Sequence, residues 1–235
     1  GPGDPIGVIN GRTNYQEFTD WKLDDLIALD DYNNGGIQAV DIYRRWDGYD
    51  TSRDMVAFYV RDGGAVGDGG SGKVYFRVDF QDLQTNAEQG SLDLYVLIDF
   101  NSTGVGERAL PDELDGRTDM KWEAVAAIYD SQSGSLYVDG NQAVNTQTES
   151  DSLTDAGVFI APNGFQGAYF NAELDAVEFA IDRAALVSAG WGGNASNLNF
   201  QVISTKDGTC NSCDGGSAGA GDLGGRIDTC DIIRN

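Results

Sequence analysis

The run Asp99-Phe100-Asn101-Ser102-Thr103-Gly104 places oxygen-bearing side chains at alternate positions ahead of a glycine. That is the first half of an EF-hand-like loop, in which carboxylate and amide oxygens replace the water shell of Ca²⁺. The second half departs from the pattern. Leu110 stands where a bidentate Glu belongs, so Glu107, Asp112 or Asp115 would have to complete the shell. A solvated turn has the same composition, and both readings stay open on sequence. Looser acidic clusters lie at Asp30-Asp31, followed by Asn33-Asn34-Gly35, at Asp62 with Asp68 in a glycine-rich run, and at Asp222 with Asp228 and Asp231. Neighbouring carboxylates repel unless a cation lies between them. With 15 basic residues against 38 acidic ones, Ca²⁺ is a cheaper neutraliser than Lys or Arg, and a plainly solvated surface is weighed ahead of it for each of these looser clusters.

Catalytic chemistry is harder to find. The chain contains no His, which removes His-dependent triads, His general bases and His-ligated metals together. A glycosidase pair would need one carboxyl in an apolar pocket. Glu123 beside Trp122, and Glu178 between Val177 and Phe179, are the acids flanked by apolar residues, but strand alternation points both away from the core. The expectation is a protein that is not an enzyme. Aromatic side chains favour binding instead, because sugar rings stack on exposed Trp and Tyr. Trp21, Trp46, Trp122, Trp191, Tyr43, Tyr49 and Tyr169 adjoin loop-type sequence, and Trp46 and Trp191, flanked by Gly or Asp, are the preferred ligand-binding candidates. The sequons at Asn101 and Asn194 mark surface loops.

The net charge is −23. Such a surface repels nucleic-acid backbones and anionic lipid faces, and no apolar run suggests membrane insertion. Hydrophobic residues make up 40% of the 235 positions, enough to bury a core. The three cysteines, Cys210, Cys213 and Cys230, point to one disulfide joining Cys230 to either of the others. One thiol is then left over, and the compartment is oxidising, extracellular or at the cell surface.

Short strands must position these groups. Alternation marks strands over 55–60, 74–80, 92–98, 123–129, 136–138, 158–160, 174–181 and 198–204, each bounded by Gly, Asp, Asn or Ser. Asp182 to Gly190 reads as a two-turn helix with an acidic start and a glycine stop. Residues 21–31 read as a short helix or a strand. The fold class is therefore all-β, a jelly-roll-like antiparallel β-sandwich with one or two short helices. Residues 51–235 carry it, and 1–50 form an N-terminal segment integrated into it.

Three stretches, Lys73 to Asp79, Leu92 to Asp99 and Val177 to Leu186, with Phe200 to Gly208 following, resemble the DOMON-like superfamily. That superfamily includes family 9 carbohydrate-binding modules and the C-terminal domains of glucodextranase and amylopullulanase. Asp182 stands where those proteins often have Pro. The resemblance implies structural calcium and, in many members, carbohydrate binding; other members build surface layers or appendages. The expected function is an extracellular, calcium-stabilised, non-catalytic module that binds carbohydrate. The alternative is a filament or surface-layer subunit whose partners are sister subunits, joined through calcium and strand exchange.

Overall fold

Period-two alternation of branched and aromatic residues with polar ones builds strands whose one face is apolar, and two such faces must be buried against each other. The computed structural model describes residues 8–9, 12–13, 21–29, 55–85, 87, 92–109, 117–131, 134–140, 159–160, 164–206 and 231–234. Its strands are β1 (Val8–Ile9), β2 (Arg12–Thr13), β3 (Leu26–Leu29), β4 (Met55–Asp62), β5 (Lys73–Phe80), β6 (Leu92–Asp99), β7 (Glu107–Ala109) and β8 (Arg117–Trp122). They continue with β9 (Ala124–Ile128), β10 (Gly134–Asp139), β11 (Phe159–Ile160), β12 (Phe165–Asn171), β13 (Ala176–Asp182), β14 (Asn199–Lys206) and β15 (Asp231–Arg234), with helix α1 (Arg183–Ser188) after β13.

One sheet has the order β12-β13-β5-β4-β3 and the other β11-β10-β9-β6-β14-β15, while β1-β2 and β7-β8 form separate pairs. All the pairings are antiparallel. The fold is the all-β sandwich that the alternation predicts. Phe58, Val60, Val74, Phe76, Val78, Phe179 and Ile181 from the first sheet meet Leu94, Val96, Ile98, Ala126, Phe200 and Val202 from the second in one core. Phe76 stacks on Phe179 at 4.8 Å and meets Phe200 edge-on at 6.0 Å, across the sandwich.

A second, smaller core lies on the outer face of the six-stranded sheet. Trp122 and Met120 of β8 pack there against Tyr95, Leu97, Val125, Ala127 and Ile203, and the Thr118 hydroxyl donates to the Gln201 amide oxygen. This is why β6 is buried on both sides from Leu92 to Ile98.

Residues 21–31 combine both sequence readings as far as they are described: a 3-10 turn at Leu23–Asp25 leads directly into β3, an edge strand on β4. Helix α1 starts after Asp182 as expected, but that carboxylate makes no cap bond to the helix. Its Oδ1 accepts from the Gln166 amide instead, at 3.1 Å. Gly190, with φ of 112°, ends the helix as the sequence predicts. Among the described residues no helix is long and apolar enough to cross a membrane.

Candidate functional site

The outer face of the five-stranded sheet carries an aromatic and ionic patch. Strand register puts Tyr169 opposite Glu178, Glu178 opposite Arg77, and Arg77 opposite Tyr59. This row crosses four strands on one face, because core and outer positions alternate along each of them. Trp21, which precedes the 3-10 turn, lies over the row. Its indole N–H donates to Glu178 Oε1 at 2.6 Å, and its ring tilts against Tyr59 with centroids 6.0 Å apart. Arg61 covers Trp21 at 4.8 Å and is itself held by Asp25, Nη2 to Oδ2 2.6 Å.

Arg77 sits between two carboxylates. Its Nε donates to Asp79 Oδ1 at 2.5 Å and its Nη1 to Glu178 Oε1 at 3.5 Å. Burial pushes the Asp79 carboxyl up, against the opposing pull of the Arg77 guanidinium. The Tyr59 phenol is raised by burial and by the Asp79 charge. For Asp25, burial acts upward, but the Arg61 and Lys22 hydrogen bonds outweigh it and hold the carboxyl below its usual range. Trp21, Tyr59 and Tyr169 are all half-buried. The patch thus offers flat apolar faces beside planar donors and acceptors fixed in place, the combination that grips a polyhydroxylated ring.

The sequence candidates fare unevenly. Glu178 points out of the core as alternation predicts, yet it is 0% exposed, and Glu123 only 3%. The expectation of solvent-facing acids is corrected: Trp21 lies on the first, and the Phe100 backbone N–H closes on Glu123 Oε2 at 2.6 Å. Trp191, expected to be exposed, is 2% exposed and belongs to the main core. Turns at Gly190 and Gly193, both with positive φ, fold its ring inward, where Arg183 covers it at 4.7 Å and its N–H reaches Asn194 O at 3.2 Å. Trp46 lies outside the described residues, as do Asp30, Asp31, Asp112, Asp222, Asp228 and all three cysteines.

Of the metal-ligand candidates, Asp62 accepts from Arg183 Nε at 3.1 Å and from the Gly64 N–H at 2.9 Å, and Asp68 is exposed in a 3-10 turn. Asp99 Oδ1 accepts from the Asn101 N–H at 2.5 Å, in a turn where Asn101 itself has φ of 56°; Asn101 and Thr103 are exposed. The strand order places Glu123 between Asp99 on β6 and Asp139 on β10. Burial pushes Glu123 up to about 7, and the charges of Asp99 and Asp139 add to the rise against the Phe100 N–H. Among the described residues no group of three or more His, Cys, Asp or Glu side chains is placed to hold a metal ion.

The Laminin_G_3 family model, described as the concanavalin A-like lectin/glucanases superfamily, matches residues 49–187, more than half of the 235 residues. The chain belongs to that superfamily of β-sandwiches. A search of curated proteins found no match.

Proposed function

We propose that the protein is an extracellular, calcium-stabilised, non-catalytic module that binds carbohydrate on the outer face of its five-stranded sheet, of the kind found in DOMON-like and family 9 carbohydrate-binding modules. The observation that carries this is Trp21, half-buried and fixed by Glu178, Arg61 and Tyr59 beside further ring and guanidinium faces. Membership in a lectin-containing superfamily supports the ligand class. Non-catalysis is supported by Arg77, which pairs with both Asp79 and Glu178. Neither carboxylate is left as the free partner that a glycosidase acid and base pair requires. Acidity and the cysteine pattern support an extracellular setting.

Affinity electrophoresis and calorimetry against soluble α- and β-glucans, with and without Ca²⁺, test the reading. Wild type is expected to be retarded by at least one glucan without releasing reducing ends. Trp21→Ala should weaken binding roughly tenfold, the loss of one aromatic stack worth about 1–1.5 kcal/mol. Unchanged binding in that variant, or no retardation of wild type, sinks the proposal.

A further inference from the structure

Two tripeptides in the chain have the form Asn-X-Ser/Thr with X other than Pro, Asn101-Ser102-Thr103 and Asn194-Ala195-Ser196. A glycan transferase reads this form as an amide and a hydroxyl two residues apart in an accessible segment. The fold treats the two tripeptides differently.

Asn194 is the N-cap of a 3-10 turn at Ala195–Asn197. Its Oδ1 accepts from the Ser196 N–H at 3.1 Å and from the Ser196 hydroxyl at 2.8 Å. This is the local side-chain turn that Asn favours, and it brings the amide and the hydroxyl of the tripeptide into direct contact. Oδ1 is thereby engaged, and among the described residues Nδ2 has no acceptor. Asn194 and Ser196 are both exposed, while Trp191 and Leu198 on either side are buried and anchor the segment. The Asn197 N–H closes the turn on Asn194 O at 3.1 Å, the Leu198 N–H on Ala195 O at 3.2 Å, and the Trp191 indole N–H also reaches Asn194 O. The tripeptide is therefore a fixed projection. The space beside it is open, since a Cβ on Gly192 would meet no atom within 4 Å.

Asn101 and Thr103 are exposed too, but Asn101 sits at φ of 56° with its backbone N–H tied to Asp99. Among the described residues no hydrogen bond joins Asn101 to Thr103, so that amide and hydroxyl are not held together.

We propose that Asn194 is a site of N-linked glycosylation, its donor an oligosaccharide carried on a lipid phosphate or pyrophosphate. The bond formed is Nδ2 to C1 of the first sugar, and the bond broken is C1 to the phosphate oxygen. The lipid phosphate leaves with the electron pair, and the amide nitrogen gives up one proton. Ser196 is a positioning residue, whose hydroxyl orients the amide through Oδ1. Transfer of this kind belongs to exported chains, so the inference rests on the extracellular part of the proposed function.

The full chain is recovered from its own cells, with cytosolic and exterior fractions kept apart, and digested with trypsin. Cleavage after Arg183 and Lys206 puts Asn194 in the peptide 184–206, and cleavage after Arg77 and Arg108 puts Asn101 in 78–108. Mass spectrometry is expected to find 184–206 carrying a hexose-containing glycan. An amidase that releases N-linked glycans should remove it and convert Asn194 to aspartate. Asn194→Gln and Ser196→Ala should each lose the modification. Ser196→Thr keeps the hydroxyl and should retain it, and Asn101→Gln should leave 184–206 glycosylated. A bare 184–206 in chain recovered outside the cell overturns this site and leaves the extracellular reading standing. Chain confined to the cytosol overturns both. A glycan that persists in Ser196→Ala overturns the part given to Ser196.

Discussion

Trp21, Arg61 and Asp25 form a chain of dependence in which a carboxylate fixes a guanidinium and the guanidinium covers an indole. The Asp25 carboxyl is held below its usual range, so its ionised form stabilises the native state above the unfolded value of about 3.9. That contribution disappears as pH falls through the lower folded value. Asp25→Asn is therefore expected to lower stability by about 1 kcal/mol or less at pH 7 and to match wild type near pH 2, as read by urea denaturation at the two pH values. Asp79, raised by burial, contributes with the opposite sign: its ionisation opposes folding as pH climbs through its folded value. Of these residues the sequence showed types but not pairings. Arg183 and Asp62 lie 121 positions apart and Trp21 and Glu178 lie 157 apart, and no local pattern reports such meetings. Trp191 misled because glycine neighbours suit an exposed tip and an inward fold equally well.

The strands themselves were legible, since alternation in 74–80 and 92–98 reflects burial of one face at least. What alternation does not report is whether the opposite face meets water or another segment. That gap hid the β7-β8 cover on the six-stranded sheet and the burial of Glu178 and Glu123. The loop between β4 and β5 shows how tightly elements are joined. A Cβ at Gly70 would lie 2.4 Å from Gly63 O and 2.5 Å from Gly64 C, whereas one at Gly69 meets nothing within 4 Å but requires φ of +83°. Gly70→Ala should thus displace the loop backbone and cost about 1–3 kcal/mol. Gly69→Ala should cost about 1 kcal/mol, since the strain is confined to one residue. Thermal melts of the two variants, which differ by one position, separate the clash from the strain.

Across the whole molecule, the charge of −23 makes the folded state repel itself. Screening should relieve this, so raising NaCl from 0.05 to 0.5 M is expected to lift Tm by about 2–4 °C for each kcal/mol regained. A Tm that falls with salt would show that short-range ion pairs such as Arg61–Asp25 outweigh the long-range repulsion. Composition made this balance visible, together with the sandwich class.

Trp21, Asp25 and β3 all precede residue 49, where the match to the superfamily begins. The shared part of the fold supplies the floor of the patch in Arg77, Asp79 and Glu178, and a stretch outside it supplies the lid. On the proposed reading the ligand face is a composite, its floor lying inside the matched stretch and its cover ahead of it. On that reading, exchanging Trp21 alone would change what the floor takes, while Ile27 and Ala28 of β3 keep their packing on the main core.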